Sequence, residues 1–194
     1  MNDIEFWQLV DEVHSSSGGD MTRKCAVLAE RLIGLDDAAL AAFCHQFDYA
    51  MDQAYTWPLW GAAYTIGGGC SDDSFMDFRG TLISHGRDVY EAAVADPESL
   101  ADLAVDDGDL LFYEGYQYVG GRVAEQRLGE VPRRADAVAD QPMGEEWDED
   151  DLPELYPRLT SRFQGEATSG STAASDPNPS APLPAPKKPW WKLW

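Results

Sequence analysis

The sequence predicts a mainly α-helical protein, a compact bundle of about six to eight short helices followed by a disordered C-terminal tail. Apolar residues recur three and four positions apart through most of the first 130 residues, which is typical of amphipathic helices. Capping residues and glycines separate these segments. Residues 164–186 consist mainly of Ser, Thr, Ala, Pro and Gly, a composition that cannot form a core.

The first three helices each follow a capping residue. Asp3 is the expected N-cap of the first helix, and Asp20 is that of the second helix, which ends at Gly34. Asp36 or Asp37 begins the third helix, which is the longest. The charged side chains of the second helix are expected to face water: Arg23, Lys24, Glu30 and Arg31.

Glycine and proline separate the later helices. Pro58 begins a short, buried helix that runs into the three glycines at 67–69. Ser71 is the expected cap of the next helix, which Gly86 closes, and Pro97 opens a further one.

Two features before residue 130 depend on tertiary structure. Residues 110–113 are either a buried strand or the beginning of a helix, since periodicity does not separate the two. Helical spacing then continues over residues 114–128. The paired Gly120 and Gly121 within it allow either close approach of a neighbouring helix or a kink, and we favour close approach.

Composition divides the chain into three parts. Residues 1–130 are a helical globular domain, and residues 131–163 are an acidic arm that we expect to pack on it. Residues 164–194 are a disordered linker with a tip rich in tryptophan and lysine.

The charge of the chain limits its partners. It has 35 acidic and 14 basic residues, which give a net charge of −21. A surface with this much negative charge repels phosphates. We therefore expect no nucleic-acid binding. It would favour a basic protein partner, although acidic surfaces also serve solubility alone.

Several absences in the sequence predict a cytoplasmic protein that has no cofactor. The three cysteines are widely spaced and form no CxxC pair, which fits a reducing compartment. The N-terminus does not have the pattern of a signal peptide. No apolar run approaches the roughly 20 residues of a membrane helix.

The tip of the tail combines aromatic rings with positive charge. It could dock in an apolar groove of a partner, make weak, reversible contact with a membrane surface, or fold back onto the acidic arm. We favour docking on a protein partner. The residues concerned are Lys187, Lys188, Trp190, Trp191, Lys192 and Trp194.

The stretch after the three glycines is the candidate catalytic site. Its carboxylates could bind a metal or act as a general base, and its arginine could hold an anionic substrate. A thiol at a helix N-terminus would have a lowered pKa and could work with a nearby histidine. The alternative is a capped core helix whose arginine pairs with an aspartate, and we favour it. The candidates are Cys70, Asp72, Asp73, Asp77, Arg79 and His85.

One face of the third helix is a weaker candidate for a metal site. His45, Asp48 and Asp52 project from neighbouring turns and could gather a divalent cation. The alternative, which we favour, is a solvated polar face.

Residues of about 3–110 resemble the bacterial domain-of-unknown-function family 4240. The resemblance lies in Ile4-Glu5-Phe6-Trp7, in the segment from Leu59 to Tyr64, and above all in the segment from Gly68 to Arg79. It continues through Leu82-Ile83-Ser84-His85-Gly86 and Asp96-Pro97-Glu98-Ser99-Leu100. The resemblance implies a small, mainly helical cytoplasmic domain without an established activity.

Together these features indicate a protein-interaction module of a regulatory or immunity-like kind, with a tail motif for docking, rather than an enzyme. The alternative is a small metal-dependent or acid/base enzyme that uses the region from Ser71 to Arg79. No known catalytic motif supports this alternative.

Overall fold

The computed structural model describes residues 1–105, 108–134 and 140–165, and within these residues it is helical and contains no β-strand. The predicted fold class is therefore confirmed. The α-helices are α1 (Asp3–Ser17), α2 (Met21–Ile33), α3 (Asp37–Gln53), α4 (Trp57–Gly67), α5 (Asp72–Ile83), α6 (Arg87–Ala95), α7 (Val119–Leu128), α8 (Leu152–Leu155) and α9 (Pro157–Leu159).

Shorter helical turns connect or follow these elements. Four of them are 3₁₀ turns, at Pro97–Asp102, Gly108–Leu111, Tyr116–Tyr118 and Glu149–Asp151. A π-helical turn at Thr160–Gln164 follows α9. The sequence left residues 110–113 open between strand and helix. The first two of them lie in the 3₁₀ turn at Gly108–Leu111, so this segment begins as a helical turn and not as a strand.

Side-chain caps begin the long helices at the predicted places. The side chains of Asp20, Asp36 and Ser71 each accept a hydrogen bond from a backbone N–H three residues later. Each cap satisfies a backbone donor that the helix itself leaves free.

The predicted caps at the beginning of α1 and the end of α5 are wrong. Asn2 caps α1, because its side chain and that of Glu5 exchange hydrogen bonds with each other's backbone N–H, at 2.9 and 2.8 Å. At the end of α5 the cap is Ser84. Gly86 instead precedes α6, with a φ of 97° that favours glycine.

The core lies between helices α1 to α7. Aromatic rings fill much of it: Phe6 lies 5.3 Å from Phe43, and Phe75 stacks on Trp60 at 5.0 Å between ring centroids. At Gly120 an added Cβ would lie 3.1 Å from the ring of Phe43. The predicted close approach at this glycine is therefore confirmed, and it brings α7 onto α3.

Residues 140–165 lie along α4 and the turn at Pro97–Asp102, and we call them the arm segment. Backbone hydrogen bonds join Met143 to Tyr55 and Trp57, at 2.9 and 2.8 Å. Further along, the Trp147 indole donates to the carbonyl of Trp57 and the Tyr156 hydroxyl donates to the carbonyl of Pro58. The arm segment is thus fixed to the helical domain at several points.

The arm segment approaches the backbone of α4 closely at Gly61. A Cβ at this position would lie 2.8 Å from Cε2 and Oη of Tyr156, and 3.0 Å from Cδ1 of Trp147. Such distances are too short for carbon and oxygen atoms in contact, so only glycine permits this packing.

We therefore expect Gly61→Ala to lower the free energy of unfolding by about 1–3 kcal/mol, because Tyr156 and Trp147 must move away from α4. Urea denaturation measures the loss, and trypsin should cut the variant's arm segment faster than that of the unmodified chain.

Gly121→Ala is the matched control, since it also adds a methyl group to a helical glycine. Its Cβ would meet Val131 at 3.6 Å, an ordinary contact, and alanine favours helix. Unchanged or higher stability is expected there. Equal effects of the two substitutions would contradict the close packing at Gly61.

Candidate functional site

Ser71 caps α5, and the two aspartates that follow it form part of the first turn of the helix. Ser71 Oγ accepts from the backbone N–H of Ser74 at 3.2 Å. Asp72 and Asp73 follow in the first turn, where the helix dipole favours negative charge, and both are exposed.

The Cys70 thiol does not have the lowered pKa that a helix N-terminus predicts. Burial, together with repulsion from Asp72, raises its pKa to about 12. The thiol therefore stays protonated at neutral pH, and that expectation is wrong. His85 lies beyond the other end of α5, which is about 18 Å long at 1.5 Å per residue, so the two do not form a pair.

The other two candidates on α5 are held by the domain itself. Asp77 accepts a hydrogen bond from the Gln117 side chain, and burial raises its pKa. Arg79 donates to the carbonyl of Met51 at 2.8 Å. Its guanidinium lies 4.5 Å from the ring centroid of Tyr55 and 5.0 Å from that of Phe75, which is favourable for a cation over aromatic rings.

The expected ion pair between Arg79 and an aspartate is wrong: within the described chain, no carboxylate lies at ion-pair distance from this guanidinium. Burial lowers the pKa of Arg79. The sequence candidates on α5 therefore point to separate surroundings and do not converge on one cleft.

On the face of α3 where the sequence offers a weak metal site, one of the three candidate side chains is in an ion pair. Asp52 forms an ion pair of 3.0 Å with Arg134, and burial followed by repulsion from Asp52 raises the pKa of Asp48. Among the residues that the structure describes, no three His, Cys, Asp or Glu side chains are arranged to hold a metal ion. His45 does not complete such a set.

A buried lysine lies at the C-terminal end of α5, against the residue that caps this helix. Lys24 is fully buried, and its Nζ donates to Ser84 Oγ at 3.1 Å. Burial lowers the pKa of Lys24 to about 8. The expectation that Lys24 faces water is wrong. The sequence did contain a signal, since Lys24 stands three residues after Met21 and four before Leu28, on the apolar stripe of α2.

Two histidines complete this group, which we call the lysine–histidine cluster (His14, Lys24, Ser84 and His85). The ring of His14 lies 5.6 Å from that of His85, and its Nδ1 is 3.1 Å from the carbonyl of Ser84. Burial, with repulsion from Lys24 and His14, lowers the pKa of His85 to about 3. A serine beside a lysine can act as a nucleophile. Here both side chains are fully buried, so no substrate reaches them.

A cleft opens between the C-terminal end of α4 and the arm segment, and we call it the arm cleft. Its volume is about 580 Å³. Apolar side chains form much of its wall. Glu149 also lines it, and the Glu149 carboxylate raises the pKa of Tyr64. The residues lining the cleft are Tyr64, Thr65, Ile66, Gly67, Gly68, Glu149, Leu152, Pro153, Thr160, Phe163 and Gln164.

The arm segment carries a dense set of carboxylates, one of which, that of Glu149, lines the arm cleft. Seven of them lie between residues 145 and 154, and all seven residues are exposed. No ion pair joins them to a basic side chain of the described chain. We call this set the acidic rim: Glu145, Glu146, Asp148, Glu149, Asp150, Asp151 and Glu154.

Most arginine side chains of the described chain contact partners within it. Arg162 donates to the carbonyls of Ala101 and Val105, while Arg158 binds Asp102 and Glu98. Other arginines form ion pairs between elements: Arg31 with Glu12, Arg87 with Asp3, Arg127 with Asp37 and Arg134 with Asp52. The charge left facing solvent is therefore mostly negative.

The candidate docking residues of the tail lie outside the described residues. They are Lys187, Lys188, Trp190, Trp191, Lys192 and Trp194. Gln164 and Phe163, close to the last described residue, line the arm cleft.

The fold and these sites define a helical domain with an acidic cleft. None of its described helices combines the length and the apolar character needed to cross a membrane. The chain belongs to the DUF4240 family of proteins of unknown function, whose model matches residues 1–126. This confirms the resemblance, and it leaves the arm segment outside the matched region. No curated protein and no solved structure matches the chain.

The lysine–histidine cluster makes stability depend on pH. The folded-state pKa of His85 is about 3, below the ordinary 6.5, so the unfolded chain binds more protons between these values. Stability is then fully present above about pH 6.5 and falls on acidification. Compared with His85→Gln, the unmodified chain should lose on the order of 2–3 kcal/mol more between about pH 7 and pH 4. Urea denaturation at each pH measures this, and parallel losses would contradict it.

Lys24→Met should raise stability at neutral pH, since it removes a buried ammonium group that has no carboxylate partner in the described chain. The folded-state pKa of Lys24 is about 8 against 10.5, so the cost of its charge is present below about pH 8. That cost disappears as the pH rises toward 10.5. The difference between variant and unmodified chain should therefore be largest near pH 7 and shrink toward pH 10. A variant less stable at pH 7 would show that the ammonium contributes favourably.

Proposed function

We propose that this protein is an acidic protein-interaction module of a regulatory or immunity-like kind, which binds a basic segment bearing aromatic residues at the arm cleft. A reducing, cytoplasmic setting suits this function, because Cys25, Cys44 and Cys70 are all free thiols.

One observation carries the proposal: the arm segment separates its charges. Its arginines, Arg158 and Arg162, point toward the domain and bind carbonyls and carboxylates there. Its seven rim carboxylates are exposed and form no ion pair with a basic side chain of the described residues. A face that only had to keep the protein in solution would not need this separation.

The arm cleft adds an apolar surface on which the side chains of a partner could be buried. Phe163 and Pro153 supply wall area for aromatic or aliphatic side chains. Its volume falls within the range of about 300–1,000 Å³ that is usual for ligand pockets. Charge would steer the partner and set the rate of association, while side-chain burial would contribute affinity.

The tail supplies a second proposed contact. Its tryptophans and lysines fit an apolar groove of the partner, as the sequence predicts. Weak contact with an anionic membrane surface is the alternative for this tip.

A synthetic peptide that alternates lysine with tryptophan tests the arm cleft. We expect saturable binding to the full chain, by fluorescence anisotropy of a labelled peptide, that weakens at least about tenfold between 0.05 and 0.5 M salt. A peptide alternating glutamate with tryptophan should not bind. One alternating lysine with serine should bind more weakly, because it leaves the apolar wall uncovered.

Two variants with equal charge locate the site. Glu149→Gln/Asp150→Asn/Asp151→Asn removes three rim carboxylates, whereas Glu30→Gln/Glu125→Gln/Glu130→Gln removes three from other surfaces. We expect the first variant to lose affinity several-fold more than the second. Equal losses would mean that net charge alone attracts the peptide, and the proposed site would be wrong.

A further inference from the structure

We infer that the arm cleft is occupied, when no partner is bound, by the chain's own C-terminal tip at residues 187–194. This inference rests on the proposed function, since it assigns an occupant to the same cleft. It makes the tip an internal competitor of the basic partner.

The path of the chain supports this assignment. The last described residue, Gly165, follows directly on Gln164, which lines the cleft and donates to the carbonyl of Thr65 at 2.8 Å. The 21 residues from 166 to 186 then separate the arm segment from the tip. Such a length spans at most about 70 Å, several times what a return to the cleft requires.

Charge complementarity also favours it. Residues 164–194 hold three lysines against Glu166 and Asp176, a net charge of +1, and the rest of the chain has −22. The three lysines all lie within the tip, at 187, 188 and 192. The acidic rim is the densest set of carboxylates in the described chain, and its Glu149 lines the cleft together with Gln164, near the end of the arm segment.

The wall of the cleft suits tryptophan. Indole rings bury large apolar areas and carry one N–H donor that needs an acceptor. Pro153 and Phe163 supply the apolar area. Gln164, which is half-buried in the same wall, carries a side-chain amide oxygen that can accept from an indole.

Tethering makes even a weak contact effective. A segment joined by a short linker has an effective concentration of about 1 mM near its own chain. A contact with a Kd of about 0.1 mM would then keep the cleft mostly occupied by the tip. It would reduce the affinity for an external peptide on the order of tenfold. A partner that displaces the tip would also release it for docking elsewhere.

The test compares the full chain with its Trp190→Ala/Trp191→Ala/Trp194→Ala variant. Amide signals of residues lining the cleft, such as Ile66, Gly68 and Gln164, should differ between the two in ¹⁵N-resolved NMR spectra. The difference should not change on dilution. The control Pro182→Ala/Pro184→Ala/Pro186→Ala, with three changes in the linker, should leave these signals as in the unmodified chain.

The second measurement is the affinity for the lysine–tryptophan peptide, which the tryptophan variant should bind on the order of tenfold more tightly than the unmodified chain. Equal affinities together with identical cleft signals would overturn the inference and leave the proposed function in place, provided that both chains bind the peptide. If neither chain binds it, the proposed function fails.

Two further outcomes would also overturn the inference. Cleft signals that differ only at high protein concentration would assign the tip to a second copy of the chain. Signals of the tip that respond only to vesicles containing phosphatidylglycerol, while those of the cleft stay the same, would assign it to a membrane surface.

Discussion

The close contact between the arm segment and α4 depends on the missing side chain at position 61. Tyr156 and Trp147 reach the backbone of α4 because Gly61 presents only a hydrogen there. With them in place, their hydroxyl and indole groups bind the carbonyls of Pro58 and Trp57. The arm cleft and the acidic rim both follow from this contact, since the arm segment forms one wall of the cleft and carries the whole rim.

The local rules of helix formation predicted much of the fold. Asp20, Asp36 and Ser71 are caps because their side chains bind backbone groups three residues away, which a sequence window contains. Lys24 could not be placed by charge alone. Its surroundings come from Ser84, which is 60 residues away, and only the packing of α2 against the end of α5 brings the two together.

The candidate site was harder to predict than the fold, for a geometric reason. Special residues are concentrated between Gly67 and Arg79, but on a helix they point in different directions. Asp72 faces water while Arg79 lies on aromatic rings inside the domain. The arm cleft has the opposite character: its walls come from residues 64–68 and 149–164, which no sequence window contains together. Such a site appears only after the chain has folded.

The distribution of charge separates what stabilises the protein from what its surface offers to others. Arg162 is half-buried and donates to two carbonyls, contacts that salt screens less than exposed ones. The rim carboxylates are exposed, so their attraction for a cation falls steeply with ionic strength. Salt would therefore weaken the proposed binding at the arm cleft while the arm segment stays attached. Most of the arginines join elements of the chain to one another, which leaves the exposed charge of the arm segment negative.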